Sequence, residues 1–285
     1  MLKATNANNS LATIKQSFLV VLDSRNATTF NNGSYNSDVM FDFECAIAKP
    51  THCLLMTCSV LQFSCPNSIY NINETNNFLH ITENLADPTG VTEYTIYISY
   101  GNYNVNTFMS TLAGLLDRRF TISFNKLNNK LTLSNSTNEF TIKKDSTLYY
   151  VMGFDRSTQL QSVNKVYNMP YTCNFNGIQS FNILMPSLNI DNLDSYNKSF
   201  NSIIQPIPID AAIPQISYIK TNDYAFTINQ DTIDNINIKI SDDMETLVNF
   251  NNQHWNLTLC FETISDVNRF DYENTFDNIL KYGYE

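Results

Sequence analysis

Hydrophobic and polar residues alternate with a period of two over much of this chain. "VMFDFEC" sets Val39, Phe41, Phe43 and Cys45 on one face, and "INIKI" does the same with Ile236, Ile238 and Ile240. "WNLTLCF" puts Trp255, Leu257, Leu259 and Phe261 on one side, with Asn256 and Thr258 opposite. Such alternation predicts half-buried strands of antiparallel sheets. The run 54–63 alternates through Met56, Cys58 and Val60, then changes parity at Leu61 and Phe63. A parity change inside a run predicts a β-bulge or a bend between sheets. Further strands are expected at 17–23, 77–83, 178–185, 213–220 and 224–229.

One segment breaks the pattern. After a strand at 94–100, Val105, Phe108, Met109, Leu112, Leu115 and Leu116 follow helical spacing, with Asn104 or Asn106 as a cap. Strands resume at 120–125, 130–134 and 139–143, with "NKLNNK" as a tight turn. This β-α-β-β-β pattern predicts a small α/β domain over 93–155, inserted in a loop of a larger β-domain. The flanking parts, 1–92 and 156–285, carry eight to ten short strands joined by Pro-, Asn- and Asp-rich loops. They favour a two-sheet sandwich, of which the jelly roll is one form. The tail "ENTFDNILKYGYE" reads as a short helix or an ordered arm.

Composition narrows the function classes. At 43% hydrophobic and 13% aromatic, the 285 residues can build a real core. No apolar run is long enough for a transmembrane helix, and "MLKATNANNS" has no signal-peptide core. The net charge is -10, and "DRR" at 117–119 and "KK" at 143–144 are the densest basic clusters. Direct nucleic-acid binding needs a basic patch or arm, so it is not expected. The 41 asparagines fit an AT-rich coding sequence and suit turns. Seven N-x-S/T sequons are about what chance gives at this composition, so they argue nothing for glycosylation.

The search for chemistry finds little. Cys45, Cys53, Cys58, Cys65, Cys173 and Cys260 form no C-x-x-C, and most lie in strand-like runs, so buried reduced thiols are expected. His52, His80 and His254 are far apart; a pair such as Cys58 with His254 would need the fold to build it. Asp242, Asp243 and Glu245 in "SDDMET" lack the register of a calcium loop and read as a hairpin turn. No G-x-G-x-x-G or P-loop occurs, and "YGNYN" reads as a strand-to-helix turn. Arg118 and Arg119 read as cations ending the helix. No catalytic, cofactor-binding or metal-binding residue is assigned, and no enzyme is expected. Tyr35, Tyr70, Tyr103 and Tyr167 are candidates for interface contacts. The Asn-rich stretch "PNSIYNINETNNFLHIT", Pro66 to Thr82, reads as a corner between strands whose amides saturate backbone groups.

Four segments together carry a resemblance. "FLVVLDSRNATTFNNGSYNSDVMFDFE", "IYNINETNNFLHIT", "YTIYISYGNYNVNTFMSTL" and "IKISDDMETLVNFNNQHWNLTLCFE" occur in order over about 18–262. They resemble the minor capsid proteins of virophages, polinton-like elements and related large DNA viruses. Met244 and Glu245 stand at the turn where that pattern has a glycine. The resemblance implies a penton: a mainly β, jelly-roll protein whose homopentamers close the fivefold vertices of an icosahedral capsid. It implies no catalytic residues and no cofactors. The implied partners are other copies of the chain and the neighbouring major capsid protein. The implied location is the virion, after synthesis in the host cytoplasm or a viral factory. An alternative from another class is a virion-surface receptor- or glycan-binding β-sandwich protein, with 93–155 as the binder.

Overall fold

The computed structural model describes residues 13–31, 36–50, 53–84, 90–157, 160–188, 192–194, 199–209, 215–219, 225–243 and 245–266. The expected tail helix or arm, Tyr35 and His52 fall outside them. The first strands are β1 (Thr13–Asp23), β2 (Thr29–Phe30), β3 (Asp38–Ala48), β4 (Cys53–Pro66), β5 (Phe78–Asn84) and β6 (Val91–Tyr97). Helix α1 (Val105–Leu115) precedes β7 (Phe120–Asn125), β8 (Lys130–Asn135) and β9 (Glu139–Ile142). Helix α2 (Tyr149–Met152) leads to β10 (Leu160–Gln161), β11 (Val166–Asn168), β12 (Ser180–Leu184), β13 (Asn192–Asp194) and β14 (Ser199–Asn201). The chain continues through β15 (Ile203–Pro208), β16 (Gln215–Ile219), β17 (Phe226–Ile228), β18 (Thr232–Ser241) and β19 (Asn256–Asp266). The protein is mainly β, with several antiparallel sheets.

Two units divide the chain: Met1–Ser68 with Gln179–Glu285, and Ile69–Ile178. In the first, one sheet runs β1-β19-β4-β16, with β17 also on β4, and the other runs β15-β12-β18-β3-β2. Phe63 on β4 meets Phe181 on β12 at 5.2 Å between ring centroids, so the two sheets pack face to face. The parity change in β4 is a bulge. Thr258 pairs with Gln62 and Leu259 with Val60, so Leu61 has no opposite residue. The buried face accordingly switches from Met56, Cys58 and Val60 to Phe63 and Cys65.

The expected face of β3 holds only in part. Val39 and Phe41 are buried, but Phe43 is half-buried and Cys45 is exposed. The ladder explains this, because pairing with β18 jumps from Asp42 opposite Asn235 to Ile47 opposite Ile233. Residues 43–46 leave the ladder, and a strand out of register no longer holds its side chains to the core.

The second unit is wider than the predicted 93–155. Its four-stranded sheet runs β10-β9-β5-β6, and a three-stranded sheet runs β11-β8-β7. Alternation marks 77–83 as a strand but not its neighbours. β5 pairs with β6 on one side and β9 on the other, so Leu79 and Ile81 belong to this unit's core. Asn104, not Asn106, caps α1: its side chain accepts from the Asn106 and Thr107 amides, and the Asn104 amide donates to the Thr107 hydroxyl. Phe108 and Leu112 bring the helix onto the sheets as fully buried side chains.

This arrangement predicts where the chain can be cut. Bridging Ser68 to Gln179 with a flexible linker is expected to leave a folded β protein. Removing only 93–155 strips β5 of both partners and uncovers Leu79 and Ile81, so that variant should aggregate. Circular dichroism and size-exclusion chromatography of the two deletions check this; a soluble, cooperative 93–155 deletion would contradict it.

Candidate functional site

Distant parts of the sequence meet at Trp255 in the first unit. At the end of β1, Asp23 accepts from the Arg25 amide at 2.9 Å and from the Arg25 guanidinium, which holds the Asp23 carboxyl below its ordinary value. The resulting turn buries Ser24. Its amide donates to the Trp255 carbonyl and its Oγ accepts the Trp255 amide, both at 3.0 Å. The indole Nε1 donates to the Asn36 carbonyl at 2.6 Å. Asn36 sits at φ 55, and its Nδ2 donates to the Gln253 carbonyl. The indole ring is flanked by Phe41 and Phe63 at 6.1 and 6.2 Å. Beside this cluster, Asp38 accepts from Asn31, Asn237 and Lys239. Burial alone would raise the Asp38 carboxyl, but these donors bring it below its usual range.

The Asn-rich segment does saturate backbone, though not at a corner of the β-sheet unit. From Ile69 it belongs to the second unit, on the approach to β5. Asn71 Nδ2 donates to the carbonyls of Tyr103 and Phe175, and its Oδ1 accepts the Tyr103 amide at 2.8 Å. Ile72 and Gly101 exchange both backbone bonds. Asn73 and Asn76 close a turn, in which Asn76 Oδ1 accepts the Asn73 amide and Asn76 Nδ2 donates to the Asn71 carbonyl. Asn77 Nδ2 donates to the Ile98 carbonyl. These amides stand in for ladder partners that an irregular entry into a sheet lacks.

A buried carboxylate network was not legible in the sequence. Glu83 on β5 is fully buried, yet Asn135, Asn138, Tyr94 and Arg119 all donate to it, at 2.8 to 3.1 Å. Burial pushes its carboxyl up, but the donors from Asn138, Asn135 and Tyr94 and the Arg119 charge outweigh that and bring it below the ordinary value. Arg119 also binds Asp117 at 2.9 Å. This corrects the expectation that Arg118 and Arg119 end the helix. α1 stops at Leu115 with no basic residue in its last turn, and Arg119 lies beyond it and reaches β5. Only their separation in sequence, 36 positions, hid the pair.

The other candidates are scattered. His80 Nδ1 contacts Asp145 at 2.9 Å in the second unit, while His254 Nδ1 lies 3.4 Å from Ser24 Oγ in the first. Cys58 pairs opposite Phe261 on β19, and His254 lies two residues before that strand and seven before Phe261, roughly 20 Å of near-extended chain away. Asp242 accepts the Thr246 amide in a turn closed by Ser241 and Leu247, as a hairpin connection should. Glu245 there adopts φ 62, the left-handed conformation that glycine takes at least cost. Among the described residues no group of three or more His, Cys, Asp or Glu could hold a metal ion, and no helix is long and apolar enough to cross a membrane. Tyr70 is exposed, whereas Tyr103 and Tyr167 are half-buried in the second unit.

These observations define a two-unit, mainly β protein whose best-built polar clusters hold its own chain in place. No protein-family model matches the sequence, and no curated protein matches it. Among solved structures, it is similar to the penton protein of mavirus, a virophage. That likeness has 14% identity and a TM-score of 0.48, covering 88% of this chain and 99% of that one. It is also similar to the D2–D3 domains of the flagellar cap protein FliD from Escherichia coli. Here identity is 15% and the TM-score 0.23, covering 81% of this chain and 98% of that one.

Proposed function

We propose that this chain is a structural minor capsid protein, a penton, acting without catalysis, cofactor or metal. In this reading the first unit is a jelly roll and the second is a small α/β domain inserted in one of its loops. Five copies close each fivefold vertex of an icosahedral capsid, against neighbouring major capsid proteins and without direct contact to nucleic acid. The protein is made in the host cytoplasm or a viral factory and ends in the virion.

One observation carries the reading. The four segments that resemble minor capsid proteins close on each other in two pairs. The first and fourth meet through Ser24, Asn36 and Trp255. The second and third meet through Asn71, Tyr103 and the β5–β6 ladder. Ser24 and Trp255 are 231 positions apart, so the contact of the first and fourth segments does not follow from proximity in sequence.

A surface for ring closure is also available. β1 pairs only with β19 among the described residues, and Leu19 and Val21 on it are 57% and 70% exposed. An edge strand with exposed apolar side chains invites a cover. A heterologous ring supplies one, since one side of each copy meets the opposite side of the next. Leu19→Lys with Val21→Lys should abolish vertex occupancy while leaving the chain folded by circular dichroism. Imaging of particles tests the role itself: this chain is expected at fivefold positions, and density elsewhere or with threefold symmetry would sink it.

A further inference from the structure

The second unit contains a cleft of about 400 Å³ between α2 and the segment 170–174, a size common for small-ligand pockets. Its lining is aromatic and polar: Tyr149, Tyr150, Tyr171, Asp155 and Asn174 all contribute, together with Gly153. None of these side chains takes part in the Glu83 or Asn71 networks.

The cleft is built rather than incidental. The Tyr171 amide donates to the Gly153 carbonyl at 3.0 Å, and the Asn174 amide donates to the Val151 carbonyl at 2.9 Å. Lys130 donates to the Pro170 carbonyl. Gly153 has φ 82, and a Cβ there would run into the carbonyl oxygens of Tyr171 and Thr172. The two walls are therefore pinned by backbone, and only glycine permits their approach. A pre-formed concavity spends little free energy on ordering when a ligand enters.

Its side chains are poised outward. Tyr150 and Tyr171 are 54% and 58% exposed, and neither hydroxyl has a hydrogen-bond partner among the described residues. Tyr149 differs, because the Arg156 guanidinium covers its ring at 4.9 Å from the centroid. Lone exposed tyrosines on open surface need no explanation. Two that line one rigid cleft beside a carboxylate and an amide form a coherent recognition set. Aromatic faces suit the C–H face of a pyranose ring, while Asp155, Asn174 and the phenol hydroxyls suit its hydroxyls. The Asp155 carboxyl is held below its usual range by the Ser157 amide and hydroxyl, so it is an anionic acceptor at neutral pH. An anionic sugar would meet that charge and a chain of net charge -10.

We propose that this cleft binds a neutral hexose, presented as a terminal residue of a glycan. The inference rests on the cleft alone and stands apart from the shell role. Methyl β-galactopyranoside and methyl α-glucopyranoside, titrated into the full chain and followed by saturation-transfer NMR, are the probes. At least one should bind, with a dissociation constant on the order of a millimolar. Tyr150→Ala and Tyr171→Ala should each weaken it at least about tenfold, or 1.4 kcal/mol. Tyr100→Ala, at an exposed tyrosine that does not line the cleft, should leave binding unchanged. Saturation by neither glycoside overturns the proposal, as does binding that both cleft variants leave intact. Tighter binding of N-acetylneuraminic acid than of either neutral glycoside overturns it too. Circular dichroism of each variant separates loss of the site from loss of fold.

Discussion

Trp255→Ala is expected to cost the first unit about 3–5 kcal/mol, the range for removing a large aromatic from a core. The indole is fully buried between Phe41 and Phe63, so its loss leaves a cavity where the two sheets meet. It also strips the Asn36 carbonyl of its donor, at a residue already held in a left-handed conformation. The backbone clasp to Ser24 survives the substitution, so the damage is confined to packing and that single bond. Domains are stable by only about 5–15 kcal/mol, so a loss of this size approaches unfolding. Trp255→Phe separates the two contributions. It keeps most of the ring and orphans the carbonyl, for an expected loss of about 1–3 kcal/mol. Urea unfolding followed by far-UV circular dichroism measures both. Trp255 is the sole tryptophan, so the native fluorescence maximum reports its environment directly. A solvent-like maximum, or an alanine variant weakened by less than about 1 kcal/mol, would contradict the assignment.

The second large effect is expected at Glu83. Glu83→Ala leaves the amides of Asn135 and Asn138, the Tyr94 hydroxyl and the Arg119 guanidinium without their shared acceptor. Arg119 is partly exposed and retains Asp117, so water relieves part of the loss. The buried Asn135 amide has no such relief. A cost of about 3 kcal/mol to the second unit follows. Glu83→Gln should fall between, because one of its oxygens becomes a donor facing other donors.

The pH dependence has a definite sign. The folded-state value of Glu83 lies below its unfolded value, so its contribution is fully present above the ordinary glutamate range. It is lost as pH falls through the folded value. Thermal melts of the wild type should therefore lose stability on the acid side of about pH 4.3, and Glu83→Ala should lose less over the same interval. Equal acid sensitivity in both proteins would remove Glu83 as the source.

Local pattern carried much of the architecture. Alternation locates β4, β5, β7, β8, β18 and β19, and the parity change at Leu61 marks the bulge in β4. Helical spacing with Asn104 located α1 and its cap. These features depend on neighbours within a few residues, where side-chain direction follows from the backbone repeat alone. The face of β3 beyond Asp42 departs from the alternation because alternation assumes an unbroken ladder, and the ladder depends on β18.

What the sequence by itself determined is the mainly β character, the helix α1 with its cap at Asn104, the buried face of Trp255, Leu257, Leu259 and Phe261, and the use of asparagine amides to satisfy backbone, whereas the short helix α2 left no signal in the pattern. Only the tertiary structure decided which strands pair. It moved the edges of the second unit out to Ile69 and Ile178 by placing β5 between β6 and β9. It also alone joined Glu83 to Arg119, Ser24 to Trp255, and α2 to the 170–174 segment. The physical reason is range. A periodic pattern states that a strand has a buried face, but hydrogen-bond partners and ion pairs are chosen by chain closure over tens or hundreds of residues, about which the local pattern is silent.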